Sequence, residues 1–260
     1  MSAYRIFHVF LLLCGSVAFA IAQPAQLATY EPERQTVRQH LFSNANTASS
    51  EAYLSESEKT VVLLCNLARM DGPYFVANYL HLYKDTASAQ FKNLKQALLN
   101  GRPLPPLRPA FALSKSAAMQ AHDMGNSGLQ GTESSDGRPF YDRIHQQFPA
   151  TNTFASNFYL GSGDPLEIVL GLLVGESDTL LQYRNNILSP NIDFVGLSIR
   201  PHKLKCSNTV LDFARKPTQL PPVSTSRRHP RSEVYWLDCP KGSKVAAIPR
   251  RRNKGFLGLW

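Results

Sequence analysis

The run Asp164-Pro165-Leu166-Glu167, followed by Ile168, Val169, Leu170, Leu172, Leu173 and Val174, constrains this chain more than any other stretch. Asp164 is a natural helix cap, Pro165 fits a first helical turn, and Glu167 stands three residues after the cap. The helix that follows is apolar on several faces, so it belongs inside the protein rather than on its surface. A chain of 260 residues can build one sizeable core, or one domain with appendages. Its 43% hydrophobic and 18% charged residues are ordinary for a soluble globular protein.

Other segments supply the cover. In LSESEKTVVLLCNLARM, Ser55 and Glu58 form a capping-box pattern, and Val61, Leu64, Cys65 and Ala68 recur at helical spacing. Asp71-Gly72-Pro73 stops that helix and starts another carrying Val76, Tyr79, Leu80 and Tyr83. A third helix is expected over Ala87 to Leu99. The prolines of Asn100 to Pro109 remove donors and fix φ, which predicts a loop. A helix resumes in ALSKSAAMQAHDMGNSG with Leu113, Ala117, Ala121 and Met124 inward, and ends over Gly125 to Gly128. A long loop with a turn at Asp136-Gly137 follows. Strands are expected over Thr153–Leu160, Phe194–Ile199 and Thr209–Phe213. The fold class is therefore α+β, with helices packed on a small antiparallel sheet.

The two ends differ from this body. Residues 1–22 read as a signal peptide: Arg5, then the apolar run Ile6 to Leu13, then small residues over Ala18 to Ala22. Residues 23–52 are polar and aperiodic, and read as a flexible N-terminal segment. Residues 53–214 form the domain, and residues 215–260 form a basic, Pro-rich linker and tail. The tail holds 11 Lys/Arg against 2 Asp/Glu, leaving 17 of each sign before it, so all of the net charge of +9 lies there. Export permits disulfides. Cys65 lies on an apolar helix face and reads as a packed thiol, while Cys206 and Cys239 are candidates to pair.

The stretches VVLLCNLAR, LSKSAAMQAHDM, SSDGRPFYDRI, GSGDPLEIVLGLLV, RNNILSP, FVGLSI and LDFA, in this order between Leu54 and Ala214, resemble the CAP superfamily. This family takes in cysteine-rich secretory proteins, antigen 5 and pathogenesis-related proteins, and its domain is also called SCP. The likeness is strongest to the exported bacterial branch. It implies a three-layer α–β–α sandwich with a cleft between helices and sheet. Many members hold two histidines and two acidic residues in that cleft and can bind a divalent metal there. In this chain the matching positions are Thr132 in GTESSDG, Ser156 in SNF, Tyr183 in YRNNIL and Glu176 after the apolar helix. Three of the four lack the family's ligand, and hydroxyls are poor zinc ligands beside imidazole or carboxylate.

The expectation is a secreted, non-enzymatic binding or interaction module, with Thr132, Ser156, Glu176 and Tyr183 marking the cavity, no metal and no cofactor. Lipid or an anionic envelope polymer is the expected partner, through the cleft or the basic tail, with peripheral membrane contact allowed and nucleic acid not expected. The localisation expected is the cell envelope or outside the cell. The alternative is an extracellular hydrolase or metal-dependent enzyme using residual cleft acids. A Ser156–His122–Glu176 set can be written for it, but there is no G-x-S-x-G elbow. Tyr183 and Arg184 offer polar groups for a ligand, and Asp142 and Arg143 read as a structural salt bridge or loop clamp.

Overall fold

Local signals place most of the helices. The computed structural model describes residues 24–149, 153–175 and 178–215, with side chains over 35–149, 153–175 and 181–215. The expected signal peptide and nearly all of the basic tail lie outside these residues, as does Glu176. The chain divides into two units, residues 1–39 and 40–260.

Helix α1 (Pro24–Ala45) runs from the first unit into the second. It falls within residues 23–52, read above as a flexible N-terminal segment, for which no helix was expected. Its sequence is polar, has no apolar stripe and contains Pro32, so nothing in its periodicity signals a helix. Among its described side chains, from residue 35 on, those of the last turns enter the core with the residues just after: Leu41 and Phe42 pack on it, and Ala45 and Ala48 are fully buried.

Helix α2 (Glu56–Met70) begins at the predicted capping box, with the Ser55 and Glu58 side chains each accepting from the other's backbone N–H. Asp71 then caps α3 (Gly72–Asn78), which gives way to a 3-10 turn at Leu80–Leu82. Helix α4 (Ala89–Asn100) is capped by Ser88. Helix α5 (Phe111–Ser127) ends on Gly128, whose φ of +81° is the left-handed conformation that suits glycine. The long loop after it contains an unforeseen helix, α6 (Phe140–Gln147). The apolar helix α7 (Pro165–Val174) begins at Asp164 as predicted, and α8 (Asp178–Ile187) follows.

Four strands form one sheet in the order β1-β3-β4-β2: β1 (Arg108–Pro109), β2 (Phe154–Gly161), β3 (Phe194–His202) and β4 (Lys205–Ala214). β2, β3 and β4 pair antiparallel, whereas β1 runs parallel to β3, so the sheet is mixed rather than purely antiparallel. The proline-rich loop supplies this short strand because the residues flanking Pro109 do the donating. Arg108 N–H reaches Asp193 O and Ala110 N–H reaches Val195 O, both at 2.9 Å. Beyond β1 the edge of β3 is blunted by side chains. Leu197 N–H donates to Ser114 Oγ (3.3 Å) and Ile199 N–H to Glu58 Oε1 (2.9 Å).

The sheet is covered on both faces. Val195, Leu197, Ile199, Leu211 and Phe213 join the main core with α2 and α7. The alternate residue Val210 packs against Ala117, Ala121 and Met124 of α5. These are the three α–β–α layers that the resemblance implies. At Gly196 an added Cβ would lie 2.0 Å from Ser114 N, so only glycine lets α5 cross β3 this closely.

Candidate functional site

The polar centre of the domain lies between α5 and the sheet. Asp212 of β4 is fully buried and flanked by the apolar residues Val210, Leu211 and Phe213. A buried carboxylate requires partners. Ser116 Oγ donates to its Oδ2 and Ser156 Oγ to its Oδ1, both at 2.7 Å. Arg143 Nη2 lies 3.3 Å from Oδ1, forming a buried ion pair. Sheet register explains the meeting: Ser156, Asp212 and Gly196 are directly paired and share one face. The bare Gly196 admits α5, and Ser116 then reaches the carboxylate. Burial raises the Asp212 carboxyl above its ordinary range, opposed by Arg143 and the two hydroxyls.

Gln120 extends this centre into the loop. Its amide nitrogen donates to Gly131 O (3.1 Å) and Glu133 O (2.7 Å), while its oxygen accepts from Ser134 Oγ (3.0 Å) and Arg143 Nη1 (2.8 Å). Arg143 Nη1 also donates to Thr132 O (3.0 Å). The loop clamp predicted for Arg143 is thus present. Asp142, in the first turn of α6, takes no part in this network.

Two of the four predicted cavity positions meet here, in altered roles. Ser156 brings its hydroxyl and Thr132 its carbonyl. Tyr183 does not join them. It is 5% exposed and packed in the main core, edge-on to Phe158, and its carbonyl accepts from Asn157 Nδ2 (3.0 Å). Asn157 neighbours Ser156 on β2 and therefore faces the opposite side of the sheet. Burial pushes the Tyr183 phenol up to about 12. Glu176 lies outside the described residues.

A divalent metal does not suit the groups that do meet. Their one carboxylate is already held by two hydroxyls and a guanidinium, and Arg143 is a fixed positive charge beside it. Among the described residues no three His, Cys, Asp or Glu side chains are grouped to hold a metal ion. The hydrolytic set is also not assembled. Ser156 is buried against Asp212, whereas His122 is exposed and bonded to Asn126 Nδ2 (2.9 Å). Arg184 is not free for a ligand either. It donates to Leu173 O and Val174 O at the end of α7, and to Gln90 O and Asn93 Oδ1.

Sequence reading passed over Asp212, Gln120 and Ser116. The signals were present: an acid among the apolar residues Val210, Leu211 and Phe213, and two polar residues within the stripe from Leu113 to Met124. A separate open cleft of about 590 Å³ lies between the start of β2 and α8. Its walls include the amides of Gln182, Asn185, Asn186 and Asn191. Thr132, Ser156 and Tyr183 are not among its described lining residues.

No known family's sequence profile and no curated protein matches the chain. Solved structures are similar to parts of it. An extracellular SCP-domain protein from Bacillus anthracis matches at 18% identity and TM-score 0.38, over 44% of this chain and 35% of the other. An outer surface protein from Borrelia burgdorferi matches at 19% identity and TM-score 0.38, over 51% of this chain and 96% of the other. A cysteine-rich secretory protein from Staphylococcus aureus matches at 13% identity and TM-score 0.38, over 63% of this chain and 40% of the other. Two of the three thus bear the family description that the sequence motifs resemble.

Proposed function

We propose that this chain is an exported, non-enzymatic binding module of CAP type, its family metal site replaced by a structural polar centre. The observation that carries this reading is the Arg143–Asp212 pair. A guanidinium, two serine hydroxyls and Gln120 take up the groups that a reactive cavity would leave open. Catalysis by a nucleophile needs a base within reach, and the serine here meets a carboxylate already shared with Arg143. Export rests on the leader pattern of Arg5, Ile6 to Leu13 and Ala18 to Ala22, and a taste for anionic envelope material rests on the tail's charge.

The test is calorimetric titration of zinc and then calcium into the full chain at neutral pH. No heat and no thermal shift is the expected result. Stoichiometric binding abolished by Glu176→Ala would overturn the reading and restore the metal-dependent alternative. Deleting residues 216–260 is expected to weaken retention on anionic envelope preparations, and unchanged retention would remove the tail from the account.

A further inference from the structure

We propose that the β3–β4 hairpin tip is a docking surface for anionic phospholipid membranes, with Leu204 and Leu129 entering the interface and lysines meeting the phosphates. This deepens the binding reading above by naming one partner and a site for it. Single exposed leucines are common on protein surfaces. This pair differs because the fold holds it out. Leu204 is 61% exposed and Leu129 43%, yet the residue that joins them, His202, is only 6% exposed.

His202 works as a clamp. Leu204 N–H donates to its Nδ1 (3.2 Å), so Nε2 must carry the proton and donate to Leu129 O (3.0 Å). A Cβ on Gly128 would lie 3.2 Å from Leu204 Cδ1, so the loop sits directly against the leucine. Below the tip, Lys203 N–H donates to Gly125 O (2.9 Å) and Asn208 Nδ2 to Pro201 O (3.2 Å). Cys206, next along β4, is disulfide-bonded.

The charge fits one kind of surface. Residues 198–208 carry Arg200, Lys203 and Lys205 and no acid, and residues 124–132 carry no acid either. The flanking acids are Asp123, turned to Ser135 N and Oγ at 2.6 Å each, and Glu133, exposed at the far end of the loop. Leu204, between the exposed Lys203 and Lys205, and Leu129 on the adjoining loop would place apolar groups at the acyl boundary and ammonium groups at the headgroups. A protein partner would need about 1,000 Å² of buried surface, far more than two leucines provide. An anionic polysaccharide would use the lysines and leave the leucines idle.

The experiment is co-sedimentation of the full chain with vesicles of phosphatidylcholine alone and of phosphatidylcholine with phosphatidylglycerol. The expected result is binding to the anionic vesicles, weakened about tenfold by Leu129→Ser with Leu204→Ser. Lys203→Gln with Lys205→Gln is expected to weaken it about 30-fold. Both variant pairs change exposed side chains, so unfolding midpoints should match the unmodified chain. Leucine-variant binding equal to the unmodified chain, with loss on deleting residues 216–260, would overturn the proposal and assign the membrane to the tail. Lysine-dependent, leucine-independent binding to a soluble anionic polysaccharide would also overturn it. Neither outcome bears on the metal titration, so the two readings fail separately.

Discussion

The two faces of the sheet bury positive charge in different ways. Toward α5, Arg143 meets the Asp212 carboxylate among hydroxyls and an amide. Toward α2 and α7, the hydrogen bonds that the buried guanidiniums donate go to neutral oxygens, with the Asp193 carboxylate acting on Arg69 through its charge. Arg69 donates to Pro105 O, Ile187 O, Ser189 O and Ile192 O, and Arg184 to three carbonyls and one amide oxygen. Burial lowers Arg69 to about 10, so it stays charged at neutral pH. A guanidinium held by carbonyls staples distant segments, and removing it loses several modest bonds. A guanidinium held by a carboxylate is conditional, because losing either partner strands a buried charge.

The largest expected effect tests that asymmetry. Asp212→Ala should cost about 3–5 kcal/mol in urea unfolding, because Arg143 is left uncompensated. The double change Arg143→Met with Asp212→Leu should cost less than Asp212→Ala alone, since an apolar pair strands nothing. Equal costs would show that Asp212 acts through packing rather than charge.

Next in size is Arg184→Met, expected to cost about 2–3 kcal/mol by leaving carbonyls at the end of α7 without donors. Amide hydrogen exchange should quicken there first. Uniform quickening across the sheet would instead make Arg184 part of the global core.

A smaller, pH-dependent effect comes from Asp212. Its folded-state carboxyl is raised by burial, so the folded protein takes up this proton more readily than the unfolded chain. The group's contribution is full below the ordinary carboxylate range and is lost as pH rises through the raised value. The stability gap between the unmodified chain and Asp212→Asn should therefore narrow over that rise. A widening gap would mean that pairing with Arg143 outweighs desolvation.

The smallest effect concerns Cys65, buried in α2 with its thiol pushed up to about 12 by burial. Alkylation at mildly alkaline pH should proceed only as fast as unfolding exposes it. Rapid alkylation without loss of structure would show that this face opens locally.

The sequence by itself determined whatever depends on neighbours along the chain. Ser55 with Glu58, Asp71, Asp164 with Pro165, and the Asp136-Gly137 turn lie where local hydrogen bonding puts them. Continuous apolar content announced the burial of α7, and short apolar-rich runs announced β2, β3 and β4. Helix α1 was illegible because its sequence carries no apolar stripe, and α6 because eight residues offer little periodicity. Only the tertiary structure decided the site. Which side of the sheet Ser156 and Tyr183 face follows from strand register and the placing of α8. That Arg143, Ser116 and Ser156 converge on Asp212 depends on residues 56 to 96 positions away from it being brought together. Sequence spacing carries no information about such distances. Gly196 permits the convergence by what it lacks, since an absent side chain becomes a contact only when another element packs against it.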